Sequence, residues 1–176
     1  MSFHLIIDGY NVIRHSPELR KHEKQALEQG RQFLVKRLSS YQRMKNHGIT
    51  VVFDGWVEGH ASEGHDQVRG IKVVFSRRGE KADEVIKRLA AERKGNAIVV
   101  TSDRELGYSC TLRGCKFIES QDFLQKMEQA EYSGRGERKD VDSVDGDYLS
   151  RGTRKKGPSR RLPKSQRKQQ AVLRKI

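Results

Sequence analysis

Four aspartates fall where chemistry can be done. Asp8 ends the run FHLIID, Asp54 ends ITVVFD, Asp103 lies just beyond AIVVT, and Asp83 opens the helical stretch ADEVIKRLAAE shortly after IKVVF. Asn11, close behind Asp8, adds a neutral amide. In an open α/β sheet, ligands bind outside the carboxyl ends of the strands, and all four acids belong to that rim. Carboxylates that converge without cationic partners repel one another, a cost relieved when a divalent ion binds among them. Hard oxygen ligands select Mg²⁺ or Mn²⁺. Such an ion activates water against a phosphate ester.

Each acid also has a local explanation. Asp83 can cap its helix, Asp54-Gly55 can be a turn, and Ser102-x-x-Glu105 reads as a capping box with Asp103 in its first turn. Caps alone do not explain acids after strands one, two and four and at the helix after strand three.

The elements that must position these groups are legible as apolar runs. FHLIID, ITVVFD, IKVVF and AIVVT, with CKFIE as a weaker fifth, are short and nearly continuously apolar, as expected of parallel strands covered by helices on both faces. Leu27, Leu34, Leu38 and Tyr41 share one face of a predicted helix from about Pro17 to Asn46, with Gly30 as its weak point. Val85, Ile86, Leu89 and Ala90 form the stripe of a second helix that Gly95 is placed to stop, and Phe123, Leu124 and Met127 mark a short final one. Alternating strands and helices predict a three-layer α/β sandwich built on a parallel sheet. Gly9 is expected to let the chain turn sharply after Asp8. The crossover GWVEGHASEGHDQVRG is Gly-rich without a helical stripe, and is expected to be a functional or mobile loop.

Charge divides the chain. The net charge is +13, and residues 151–176 carry 11 Lys and Arg with no acid, which leaves the first 150 residues at only +2. From about Ser133 the apolar periodicity ends, so residues 1–132 read as one folded domain and 133–176 as a basic, disordered or extended arm. Within that arm the segment QRKQQAVLRKI could form a basic helix against a partner. No run is long enough to cross a bilayer and no secretory signal is visible, so a soluble, cytoplasmic protein is expected. Cys110 and Cys115 are expected to be reduced thiols, and His60 and His65 to be solvent-facing loop residues.

Several enzyme classes lack their residues. A phospho-aspartyl hydrolase of the haloacid dehalogenase type needs an aspartate where Tyr10 stands, a receiver domain needs an acidic pair near Asp8, and neither glycine-rich nucleotide motif is present. The segments IIDGYNVI, VVFDG, GIKVVFSRRGEKADEVI and VVTSDRE together resemble the NYN family of PIN-like ribonuclease domains, most closely its YacP-like branch, over about residues 1–130. That resemblance implies a parallel five-stranded sheet of order 3-2-1-4-5, divalent metal and cleavage of single-stranded RNA. It maps the metal-holding acids onto Asp8, Asp83 and Asp103, with Asn11 and Asp54 in support and Glu84 as a further candidate.

Arg77, Arg78, Lys81 and Arg104 lie beside those acids in sequence and could grip phosphates or simply be solvated, while Tyr10 and Trp56 could stack on bases or pack in the core. Lys155, Lys156, Arg160 and Arg161 in the arm would add sequence-independent RNA affinity, with a ribosome as one phosphate-dense partner. The rival readings are a non-catalytic RNA-binding or assembly factor, and metal-dependent phosphatase or DNA-directed nuclease chemistry.

Overall fold

The computed structural model describes residues 3–55, 64–136 and 164–175. Along the chain run β1 (His4–Asp8), α1 (Gly9–His15), α2 (Pro17–Gln25), α3 (Leu27–Lys45), β2 (Gly48–Phe53), β3 (Gly64–Val68), β4 (Ile71–Phe75), α4 (Ala82–Arg93), β5 (Ala97–Val100), α5 (Arg104–Leu112), β6 (Lys116–Ile118), α6 (Ser120–Gly136) and α7 (Lys164–Leu173). They form a mixed α/β fold around one six-stranded sheet of order β3-β4-β2-β1-β5-β6. The neighbours pair in parallel except β3, which runs antiparallel to β4.

Alternation along the central strands divides the core. Leu5 and Ile7 join Leu34, Leu38, Tyr41, Phe123 and Met127 on one face, while Ile6 joins Val74, Ile86 and Leu106 on the other. Leu5, Ile6 and Ile7 are all fully buried, which is why this strand reads as an unbroken apolar run. Burying each such side chain contributes about 1.5–3 kcal/mol.

Several expectations are corrected. The sheet has six strands rather than five, because part of the Gly-rich crossover becomes β3. Arg69 and Gly70 both take positive φ, 54° and 85°, and close a two-residue hairpin between β3 and β4. The carbonyl of Arg69 accepts a 2.9 Å hydrogen bond from Ser39 Oγ, which ties the hairpin to α3. Trp56 and His60 lie outside the described residues, as does the rest of that crossover between Gly55 and Gly64.

The helix expected from Pro17 to Asn46 is two helices, broken where Ala26 becomes extended at φ −161°, ψ 140°. Gly30 is no weak point: a Cβ there would lie 2.9 Å from Glu23 Cβ, so its small size lets α3 approach α2. Leu27, expected on the core stripe, is exposed. Gly9 is likewise needed for proximity rather than for an unusual turn, since an added Cβ would fall 2.2 Å from the Phe53 ring.

The C-terminal extension also differs from a free arm. The final domain helix is long, with α6 continuing through Ser133 to Gly136. Beyond the undescribed residues 137–163, which include Lys155, Lys156, Arg160 and Arg161, α7 returns to the domain. Its Val172 is buried in the core cluster, and Leu173 packs beside it. Two adjacent apolar residues thus seat this basic helix on its own chain.

Cys110 and Cys115 are free and buried, and burial pushes the Cys110 thiol up to about 11. Among the described residues no helix is long and apolar enough to cross a membrane.

Candidate active site

The carboxyl ends of β1, β2 and β5 place three of the four aspartates, and the first turn of α4 places Asp83. Asp8 is both the last residue of β1 and the N-cap of α1: its Oδ1 accepts from the Asn11 backbone N–H at 3.1 Å. Its Oδ2 accepts from Thr101 Oγ1 at 3.3 Å. The same Thr101 hydroxyl accepts from the Asp103 backbone N–H at 3.1 Å, so one buried side chain links the Asp8 carboxylate to the backbone of Asp103.

Asp103 is the N-cap of α5, its Oδ1 accepting from the N–H groups of Glu105 and Leu106 at 2.8 and 3.1 Å. The capping residue is therefore Asp103, not Ser102, whose Oγ instead accepts from the Ser120 N–H at 3.2 Å. Asn11 stitches three segments together. Its side-chain oxygen accepts from the Ser102 N–H at 3.0 Å and from Ser120 Oγ at 2.8 Å. Asp54 is held by Ser76, which donates to its Oδ1 at 3.0 Å and accepts from the Gly55 N–H at 3.0 Å.

Electrostatics bind these groups into one rim. Burial raises the Asp8 carboxyl to about 6, and the charge of Asp83 adds to the rise, against the hydrogen bonds from Asn11 and Thr101. Asp83 is raised as well, first by burial and then by Asp103, with Asp54 adding a smaller push. The acids therefore disfavour one another's ionisation.

Among the described residues, however, no three His, Cys, Asp or Glu side chains converge closely enough to hold a metal ion. Asp8 and Asp103 each direct Oδ1 to a capping hydrogen bond. The donor chemistry still suits a hard cation, and Mg²⁺ is commonly held by one or two carboxylates, waters and substrate phosphates rather than by an all-protein cage. Glu84, the further candidate, is exposed and pairs with Lys87 at 2.8 Å.

The neighbouring cations are only partly those expected. Arg77, Arg78, Lys81 and Arg104 are exposed, and the charge of Lys81 reaches Asp83. Arg14 on α1 acts on Asp8 and Lys87 on Asp83, and neither was singled out in the sequence. Also missed were Ser76, Thr101 and Ser120, all fully buried. Their common signal is a hydroxyl one or two residues beyond a strand's carboxyl end.

Tyr10 is not free to stack on a base. Its ring packs edge-on against Phe53 with centroids 5.2 Å apart, and its hydroxyl accepts from Arg31 at 3.2 Å. Beyond it lies a groove of about 950 Å³ that includes Arg31, Phe33, Asp66 and Phe75 but none of the four rim aspartates. The groove and the aspartate rim are therefore separate surfaces.

A family model described as YacP-like NYN domain matches residues 5–174, so the match reaches through α7 instead of ending near residue 130. YacP of Bacillus subtilis is 28% identical over 133 residues, which cover 72% of this chain and 76% of that protein. The crystal structure of Rae1 (YacP) from Bacillus subtilis superposes with a TM-score of 0.66 at 28% identity, over 79% of this chain and 81% of the other. A substituted form of it gives 0.64 at 27% identity, over 78% and 80%.

Proposed function

The chain belongs to the YacP-like NYN domain family, whose PIN-like character implies a nuclease-like, RNA-related function, and from that premise we propose that it is a divalent-metal-dependent endoribonuclease acting on single-stranded RNA. The observation that carries this reading is geometric: Thr101 joins the Asp8 carboxylate to the backbone of Asp103 where β1 and β5 end, and the charges of Asp103 and Asp54 both reach Asp83. A cation held there with a substrate phosphate would offset that gathered negative charge. Asp8, Asp83 and Asp103 are the donors we assign to Mg²⁺ or Mn²⁺. When bound, the ion supplies a water of lowered pKa and neutralises charge on the phosphate.

The chain's own residues do the positioning. Thr101 and the Asn11 N–H fix the Asp8 carboxylate, and the Asn11 side chain holds the β5–α5 and β6–α6 junctions together around it. Ser76 keeps Asp54 at the edge of the rim, where its charge reinforces that on Asp83. Arg14 and Lys81, whose charges reach Asp8 and Asp83, would take the flanking phosphates together with the exposed Arg77, Arg78 and Arg104.

The test is incubation with unstructured RNA in Mn²⁺ or Mg²⁺, repeated with Asp8→Asn, Asp83→Asn and Asp103→Asn and with a DNA oligonucleotide of the same sequence. We expect metal-dependent cuts in RNA that fall at least about 100-fold in each variant. Cleavage surviving all three substitutions defeats this reading. The lack of a three-donor cluster among the described residues favours a second reading, a non-catalytic RNA-binding factor on the same fold. Tight RNA binding without cuts under every metal would establish it.

A further inference from the structure

The opposite rim of the sheet, where the parallel strands begin, has its own organisation. Phe3, just ahead of β1, donates its N–H to His47 Nδ1 at 3.4 Å. His47, just ahead of β2, also hydrogen-bonds the backbone of Lys175 immediately after α7. Two ammonium groups converge on the Phe3 ring, Lys116 Nζ at 5.1 Å and Lys175 Nζ at 5.8 Å from its centroid. No ion pair engages either lysine among the described residues.

More positive charge gathers around them. Lys45, at the end of α3, acts on His47, which burial and this charge hold below its ordinary range. Arg93, at the end of α4, and Lys72, near the start of β4, act on His4 in the same sense. Arg93 also lines a cleft of about 420 Å³ with Phe3, His4 and Gly48, in which Glu92 is the one acid among the lining residues.

The helix dipole accounts for part of this, because cations are favoured at helix C-termini and Lys45 and Arg93 stand there. It does not account for Lys72 and Lys116, which stand on strands, or for the packing that brings Lys175 beside Lys116. Two cations held on one ring repel each other and are stabilised when an anion bridges them. The Phe3 ring beneath them is covered, so the pair presents charge rather than a stacking face.

We propose that Lys45, Lys72, Arg93, Lys116 and Lys175 form a second RNA-contacting surface, opposite the carboxylate rim, that takes the phosphate backbone of a base-paired RNA segment. α7 completes this surface by docking. Contacts of this kind are sequence-independent, and base pairing aligns rows of phosphate without requiring exposed bases. The surface is independent of the nuclease reading, since it would hold RNA whether or not the other rim cuts.

The experiment measures binding of a labelled RNA duplex of about 20 base pairs to the full chain in EDTA, across a salt series. We expect Lys116→Glu with Lys175→Glu to weaken duplex binding at least about 10-fold and to flatten the slope of log K against log salt by about 1.5–2 units. Lys45→Glu, an exposed substitution that disturbs no packing, should flatten it by about 1 unit. Cleavage of a short single-stranded oligonucleotide by these variants should equal the parent's. Failure of the parent to bind duplex, or an unchanged slope in both variants, overturns the proposal. Loss of cleavage with intact duplex binding in the aspartate variants would separate the two surfaces.

Discussion

The two rims of the sheet hold like charges together by different means. At the carboxyl ends, Asp8, Asp54 and Asp103 are short side chains fixed by backbone N–H groups and buried hydroxyls within a residue or two of a strand end. At the amino ends, Lys116 and Lys175 reach a shared aromatic ring on long, flexible stems. Rigid carboxylates with raised proton affinity suit a site where atoms must be placed. Mobile ammonium groups suit a surface that accepts phosphates in many registers.

Substituting the acids should separate stability from activity most sharply. Asp8 has a folded-state pKa near 6 against an ordinary value near 4. A carboxyl raised by folding contributes stability below its unfolded pKa and loses it as pH rises through the folded one. The metal-free protein should therefore lose about 2–3 kcal/mol between pH 4 and pH 7 through this group. Asp8→Asn should remove that loss, so at pH 7.5 in EDTA it should be more stable than the parent while inactive. Urea unfolding at the two pH values checks this, and an unchanged difference between them would mean that Asp8 is not strained.

Next in size is Gly9→Ala. The added methyl must displace the fully buried Phe53 ring beneath the rim, and should cost about 1–3 kcal/mol, read as a lowered denaturation midpoint. A neutral result would show that this rim tolerates repacking as the lysine rim should.

The smallest of the three is Thr101→Val. It leaves the Asp103 N–H without its acceptor and Asp8 without one donor, costing about 1–2 kcal/mol. It should also push the Asp8 carboxyl further up, visible by NMR titration of that carboxyl. Thr101→Ser should restore both.

Much of this organisation was legible in the residues. Strands buried on both faces leave continuous apolar runs, so β1, β2, β4 and β5 are legible, and with them the acids that follow β1, β2 and β5. β3 is not, because GHDQV is a polar edge strand whose only guide was the Arg69-Gly70 turn. The break at Ala26 carries neither Gly nor Pro and was invisible to periodicity. Ser76, Thr101 and Ser120 read as ordinary loop hydroxyls, since their significance depends on segments far apart in sequence. The docking of α7 buries one valine and packs one leucine within a basic stretch, too faint a stripe to detect.

That docking has a consequence for self-association. α7 packs against β6, the last strand of the sheet, and buries Val172 in the core cluster beside it. At the other border, β3 offers a short ribbon carrying an exposed aspartate. A chain shortened before α7 should uncover the apolar surface beneath Val172 and Leu173 next to an edge strand, and should aggregate more readily as its concentration rises.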